Sequence, residues 1–215
     1  MAVDIKDRHI AHALREMPLG NSWRGEHQGF SINGLRDSAG LLLTGATAPI
    51  AEVSSGEYRV RAVASTSHTM TAAMHVPRDY DYKGSGPGGV AVPELKVQLC
   101  AYGSAGIDAQ SLTLAVKATP MAGGSSRTIV VPAAVGVVAG AASLLTVTYT
   151  WDLAGLVDAS GNPILPGDTL SLTWTFTTGG TDALNFTQAR CFYSKMPNFA
   201  LVSPRHSIEG TEQTQ

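Results

Sequence analysis

The chain has 215 residues, 44% of them hydrophobic and only 15% charged, with 15 basic and 17 acidic groups giving a net charge of −2. That length suits one sizeable domain plus extensions, and a domain of about 150 residues buries about two-thirds of its unfolded surface without a disulfide or metal staple. The balance excludes a basic field for nucleic acid, no apolar run reaches the ~20 residues of a membrane helix, and the charged start Met1-Ala2-Val3-Asp4-Ile5-Lys6 lacks a secretory apolar segment, so folding is expected in the cytosol.

Ile10, Ala13, Leu14 and Met17 recur at helical spacing, and Pro18 with Gly20 stops the pattern, which predicts a short amphipathic helix over Ile5 to Met17. From there to Gly56 glycines recur without a sustained period. That stretch is too long for an ordinary connection. It is expected either to hold weak strands, as around Leu41 to Leu43, or to be an extended arm laid on a partner.

Near Glu57 a period of two takes over, the signature of strands with one buried face. Tyr58, Val60, Ala62 and Ala64 alternate with Arg59 and Arg61. Met70, Ala72, Met74 and Val76 follow, then Leu95, Val97 and Leu99, then Leu112, Leu114 and Val116, then a short run at Thr128 to Val131. Leu145, Val147, Tyr149 and Trp151 form the next apolar row. In Thr169 to Thr177, Leu170, Leu172, Trp174 and Phe176 face one way and threonines and Ser171 the other. In the last strand Leu184 and Phe186 are out of phase with Ala189, Cys191 and Tyr193, which calls for a β-bulge near Gln188.

Eight strands with one apolar and one polar face, and no helix between them, predict an all-β antiparallel two-sheet sandwich. Eight is the strand number of a jelly roll, which is the expected arrangement. The division is an N-terminal arm over 1–56, a sandwich over 57–203 and a polar tail over 204–215. The segment Val130 to Ala142 holds no charge in thirteen residues and reads as a buried loop, a strand or a subunit contact, the last preferred.

No catalytic, cofactor or metal residue emerges, and the chain is expected not to be an enzyme. Asp79-Tyr80-Asp81-Tyr82-Lys83-Gly84 begins like a calcium loop, but Lys83 and Val90 stand where oxygen ligands belong. His9 and His12 share a helical face without a third ligand. His27, His68, His75 and His206 are scattered. Ser104 lacks the glycine two residues before it that a nucleophile elbow needs, and Gly84 to Gly89 lacks the lysine of a phosphate loop. Asn185-Phe186-Thr187 matches a glycosylation sequon inside a strand. Cys100 and Cys191 read as two buried thiols. Trp151, Trp174, Tyr149 and Phe176 fall in the apolar phase, leaving Trp23, Tyr80, Tyr82 and Tyr102 as candidate surface rings.

Two stretches, His75-Val76-Pro77-Arg78-Asp79-Tyr80-Asp81 and Trp151-Asp152-Leu153 through Leu165-Pro166-Gly167-Asp168-Thr169-Leu170, resemble the sandwich or jelly-roll domain of head-decoration and head-fibre proteins of tailed bacteriophages. The resemblance covers roughly residues 57 to 194. It implies a homotrimeric knob on the exterior of the capsid, bound to the lattice of the major capsid protein and anchored by the N-terminal segment. The expected function is thus a virion component that decorates or cements a capsid. The alternatives are a glycan-binding sandwich module of a phage tail or fibre and, more remotely, a metal-dependent enzyme on a jelly-roll scaffold.

Overall fold

The computed structural model describes residues 24–27, 30–44, 49–63, 67–83, 93–103, 112–133, 135–141, 144–178 and 184–195. The helix expected over Ile5 to Met17, the tail over 204–215, and Trp23, Ser104, His206 and the Gly84 to Gly89 loop lie outside these residues.

The described chain is an antiparallel two-sheet sandwich of eleven strands. The larger sheet runs in the order β2 (Ile50–Ser54), β3 (Glu57–Ala62), β11 (Leu184–Ser194), β5 (Leu95–Gly103), β9 (Leu144–Asp152), β8 (Val135–Ala141), with β1 (Arg24–Glu26) paired to the far end of β11. The smaller sheet is β4 (Ser67–His75), β10 (Thr169–Thr177), β6 (Thr113–Thr119) and β7 (Arg127–Ile129). Setting aside β1, β2 and β8, the remaining eight strands pair as nested couples: β3 with β11, β4 with β10, β5 with β9, and β6 with β7. First pairs with last and inner with inner, as when one long antiparallel ribbon folds over on itself. That is the strand order of a jelly roll.

The period-two pattern explains why these residues choose strands. On β4, His68, Met70, Ala72 and Met74 are buried while their neighbours are exposed or half-buried, and β5, β6 and β10 repeat the alternation. The inner faces meet through aromatic rings. Trp151 of β9 and Trp174 of β10 stand edge-on with centroids 6.3 Å apart, and Phe176 of β10 meets Phe186 of β11 at 5.4 Å. Edge-on ring pairs add about 0.5–1.5 kcal/mol each beyond their burial. The sequon at Asn185 lies in β11 and is buried.

The chain before Glu57 holds short strands, one of the two expectations for this stretch, and adds side chains to the core. Phe30, Leu35 and Leu43 are buried in the same core as the later strands, and Phe30 packs on Trp174 with centroids 6.2 Å apart. Residues 24–54 also supply β1 and β2. The strand anticipated around Leu41 to Leu43 is instead a turn, closed by Asp37, whose carboxylate accepts from Leu41 N–H at 2.8 Å. Leu41 and Leu42 are exposed and only Leu43 turns inward.

The resemblance-bearing stretches meet at one end of the sandwich. Asp168 N–H donates to the Leu165 carbonyl across a turn with Pro166 and Gly167 at its centre, and Gly167 has φ +87°, a conformation that favours glycine. Gly167 N–H then donates to the Val76 carbonyl, and Val76 N–H to Asp168. The turn chemistry of one stretch thus clamps the other.

Candidate functional site

Strand β11 positions a concavity among the described residues. Its register slips against β5 between Phe186 and Gln188, the bulge that the phase switch required. On its opposite side β3 pairs only with Leu184 to Phe186 and β1 only with Phe192 to Ser194. The ladder is open between them, and a cleft of about 310 Å³ occupies the opening. Thr187, Gln188, Ala189 and Arg190 form one wall; His27, Phe30, Ser31 and Ile32 form the other. His27 Nε2 donates to the His75 carbonyl at 2.8 Å, which leaves Nδ1 as the acceptor nitrogen, buried without a partner. The wall residues include no carboxylate and no thiol. An imidazole, a guanidinium, hydroxyls and an amide beside the apolar Phe30 and Ile32 can bind a small polar or anionic group.

Half of this cleft was legible in the sequence. The phase switch located the bulge, whereas His27 to Ile32 carry no period and become a wall only because Phe30 is drawn into the core.

The other candidates fall apart in space. His68 is buried against Phe176 and donates from Nε2 to the Val63 carbonyl at 3.0 Å, while His75 lies at the end of β4 beside Thr169. Asp79 accepts from Tyr193 Oη at 3.5 Å, and Asp81 is buried with its N–H on the Ser194 carbonyl. Burial, then Asp79, pushes the Tyr193 hydroxyl up to about 12; burial, then Asp152 and Asp81, raises the Tyr80 hydroxyl further still. These carboxylates therefore surround a structural turn. Among the described residues no group of three His, Cys, Asp or Glu side chains is placed to hold a metal.

Two expectations need correction. Tyr80 is core rather than surface, at 1% exposure, at the end of a turn in which its N–H donates to the Pro77 carbonyl. Tyr102 is half-buried, its hydroxyl accepting from Arg59 at 2.9 Å, and Tyr82 packs partly against the core. The cysteines also differ from each other. Cys191 is buried and its thiol is pushed up to about 12 by that burial, whereas Cys100 is only half-buried, on a neighbouring strand, and accepts from Thr148.

The sheet edges form the second candidate surface. Three of the four carry capping chain. At β2, Thr44 bridges Ile50 and Ala51 N–H donates to Leu43. At β4, Arg36 and Thr71 exchange both backbone hydrogen bonds, at 2.8 and 2.7 Å. At β7, Ile129 bridges Asp158, and Arg127 binds Asp168 at 2.7 Å and Asp158 at 3.6 Å. At β8, among the described residues, the only neighbour is β9.

No protein-family model, curated protein or solved structure matches the chain. No helix among the described residues is long and apolar enough to cross a membrane, which says nothing of strands.

Proposed function

We propose that this protein is a non-catalytic structural component of a virion, one that decorates or cements the exterior of a capsid by binding the lattice of its major capsid protein. The observation that carries the reading is the junction between Val76 and the Gly167-Asp168 turn, which joins the two sequence stretches resembling head-decoration and head-fibre proteins. The jelly-roll strand order supports it, since that architecture is used by capsid proteins as well as by lectins and cupins. With residues 24–54 built into the body, the segment left to act as an anchor is residues 1–23.

The glycan-binding alternative is weakened by the rings it needs. Trp151, Trp174 and Tyr80 are core residues, so these three rings do not offer a stacking platform at the surface.

The test is binding of the full chain to purified capsids of the source virus stripped of it, with particle melting as the readout. Saturable binding that raises the melting temperature of the particle, lost on deleting residues 1–23 while the body stays folded, is the expected result. Capsids that neither bind the chain nor gain stability would overturn the reading.

A further inference from the structure

We infer that the cleft beside the bulge of β11 is a binding site for a small carboxylate, held by the exposed Arg190 with its apolar part against Phe30 and Ile32. The site begins with the phase of the strand. Leu184 and Phe186 are buried, and by strict alternation Gln188 and Arg190 would follow them into the core. The extra residue Thr187, which has no partner on β5, reverses that phase. Ala189 and Cys191 are then the buried residues, and Gln188 and Arg190 stand exposed. Bulges that re-aim side chains in this way are over-represented beside active sites.

The opposite wall is fixed before any ligand arrives. His27 N–H donates to the Cys191 carbonyl at 2.9 Å and its Nε2 to the His75 carbonyl at 2.8 Å, which ties the wall to both sheets. Phe30 N–H donates to the His27 carbonyl at 3.2 Å and Gly34 N–H to the Ser31 carbonyl at 3.0 Å, while the Phe30 ring packs on Trp174. A preformed site loses little conformational freedom on binding.

The ligand class follows from size and charge. A cleft of about 310 Å³ stands at the lower end of ligand pockets, about 300–1,000 Å³. It suits a molecule the size of a single amino acid rather than a peptide or an oligosaccharide. Among the described residues that line it, Arg190 carries the one permanent charge and none is a carboxylate. One guanidinium matches the single charge and the two-oxygen fork of a carboxylate. A phosphate monoester, at about −1.5 to −2 charges, calls for more than one cation. Ser31, Thr187 and Gln188 supply further hydrogen-bonding groups, and Phe30 and Ile32 accept a short hydrocarbon portion. The inference does not depend on the capsid reading, because it requires only the chain itself.

The experiment follows the amide spectrum of the full-length protein by nuclear magnetic resonance as butyrate, butyramide or inorganic phosphate is added, for wild type and Arg190→Gln. Butyrate is expected to shift the amides of Ser31, Ile32, Gln188 and Ala189 saturably, with a Kd of about 1 mM, the range open to so few atoms. Butyramide has the same shape without the charge. It is expected to bind wild type about tenfold more weakly, and butyrate to bind R190Q more weakly by a similar factor, as loss of a charge-assisted hydrogen bond implies. The comparison of butyrate with butyramide keeps the test open should R190Q fail to fold. No saturable shift with butyrate, an equal response to butyramide, tighter binding of phosphate, or unchanged binding in R190Q would each overturn the inference.

Discussion

The two ends of the larger sheet are built on opposite principles. At the β2 end, Glu52 accepts hydrogen bonds from Arg59 at 2.8 Å and Arg61 at 3.1 Å, and the chain from Leu43 to Thr44 lies along the edge. At the β8 end there is no charge and, among the described residues, no cover. Since both edges belong to one sheet with one hydrogen-bonding geometry, the difference lies in the side chains and in where the chain returns.

The largest test of this contrast is Phe30→Ala. Phe30 holds the capping chain down through its contact with Trp174, so truncation is expected to cost about 4 kcal/mol and to loosen the cover at β2 and β4 together. Equilibrium unfolding in urea measures the cost. If the β2 and β4 amides stay protected in that variant, Phe30 does not anchor the cover.

Next comes Arg127→Ala at the β7 edge. Removing the guanidinium leaves Asp168, 2% exposed, without its cationic partner, and a loss of about 3 kcal/mol is expected. The same edge has a pH signature. Hydrogen bonds from the backbone and side chain of Asn162, then Ser160 and the nearby Arg127, hold the Asp158 carboxyl below its ordinary 3.8. A carboxyl lowered by folding stabilises fully above pH 3.8 and loses that contribution as the pH falls through its folded value. Acid unfolding of Asp158→Asn is therefore expected to lack part of the wild-type slope below pH 3.8.

A smaller effect is expected at Glu52→Gln. Arg59 and Arg61 hold Glu52 below its ordinary 4.5, so this substitution lowers the melting temperature slightly at neutral pH and not at strongly acid pH.

The sandwich was legible because it rests on alternation. Leu170, Leu172, Trp174 and Phe176 announce a strand by period alone, and the phase slip between Phe186 and Ala189 announces the bulge. What was not legible lacks a period. β1 spans three residues and β2 mixes Glu52 with half-buried apolar residues, so both depend on a partner strand for their existence. Phe30, Leu35 and Leu43 enter the core one at a time from turns, a pattern no window detects. Tyr80 was misread for the same reason, since a turn residue carries no phase. For β8 the sequence left three readings open; pairing with β9 made it a strand and its place in the sheet made it an edge.

The closed edge is tested most directly by hydrogen–deuterium exchange of the full-length protein and of Phe30→Ala. The Ala51 N–H, which donates to the Leu43 carbonyl of the covering chain, is expected to exchange slowly in the wild type and faster in the variant, while the amides of β9 stay the same. Equal exchange at Ala51 in the two proteins would contradict an edge closed by chain that Phe30 anchors.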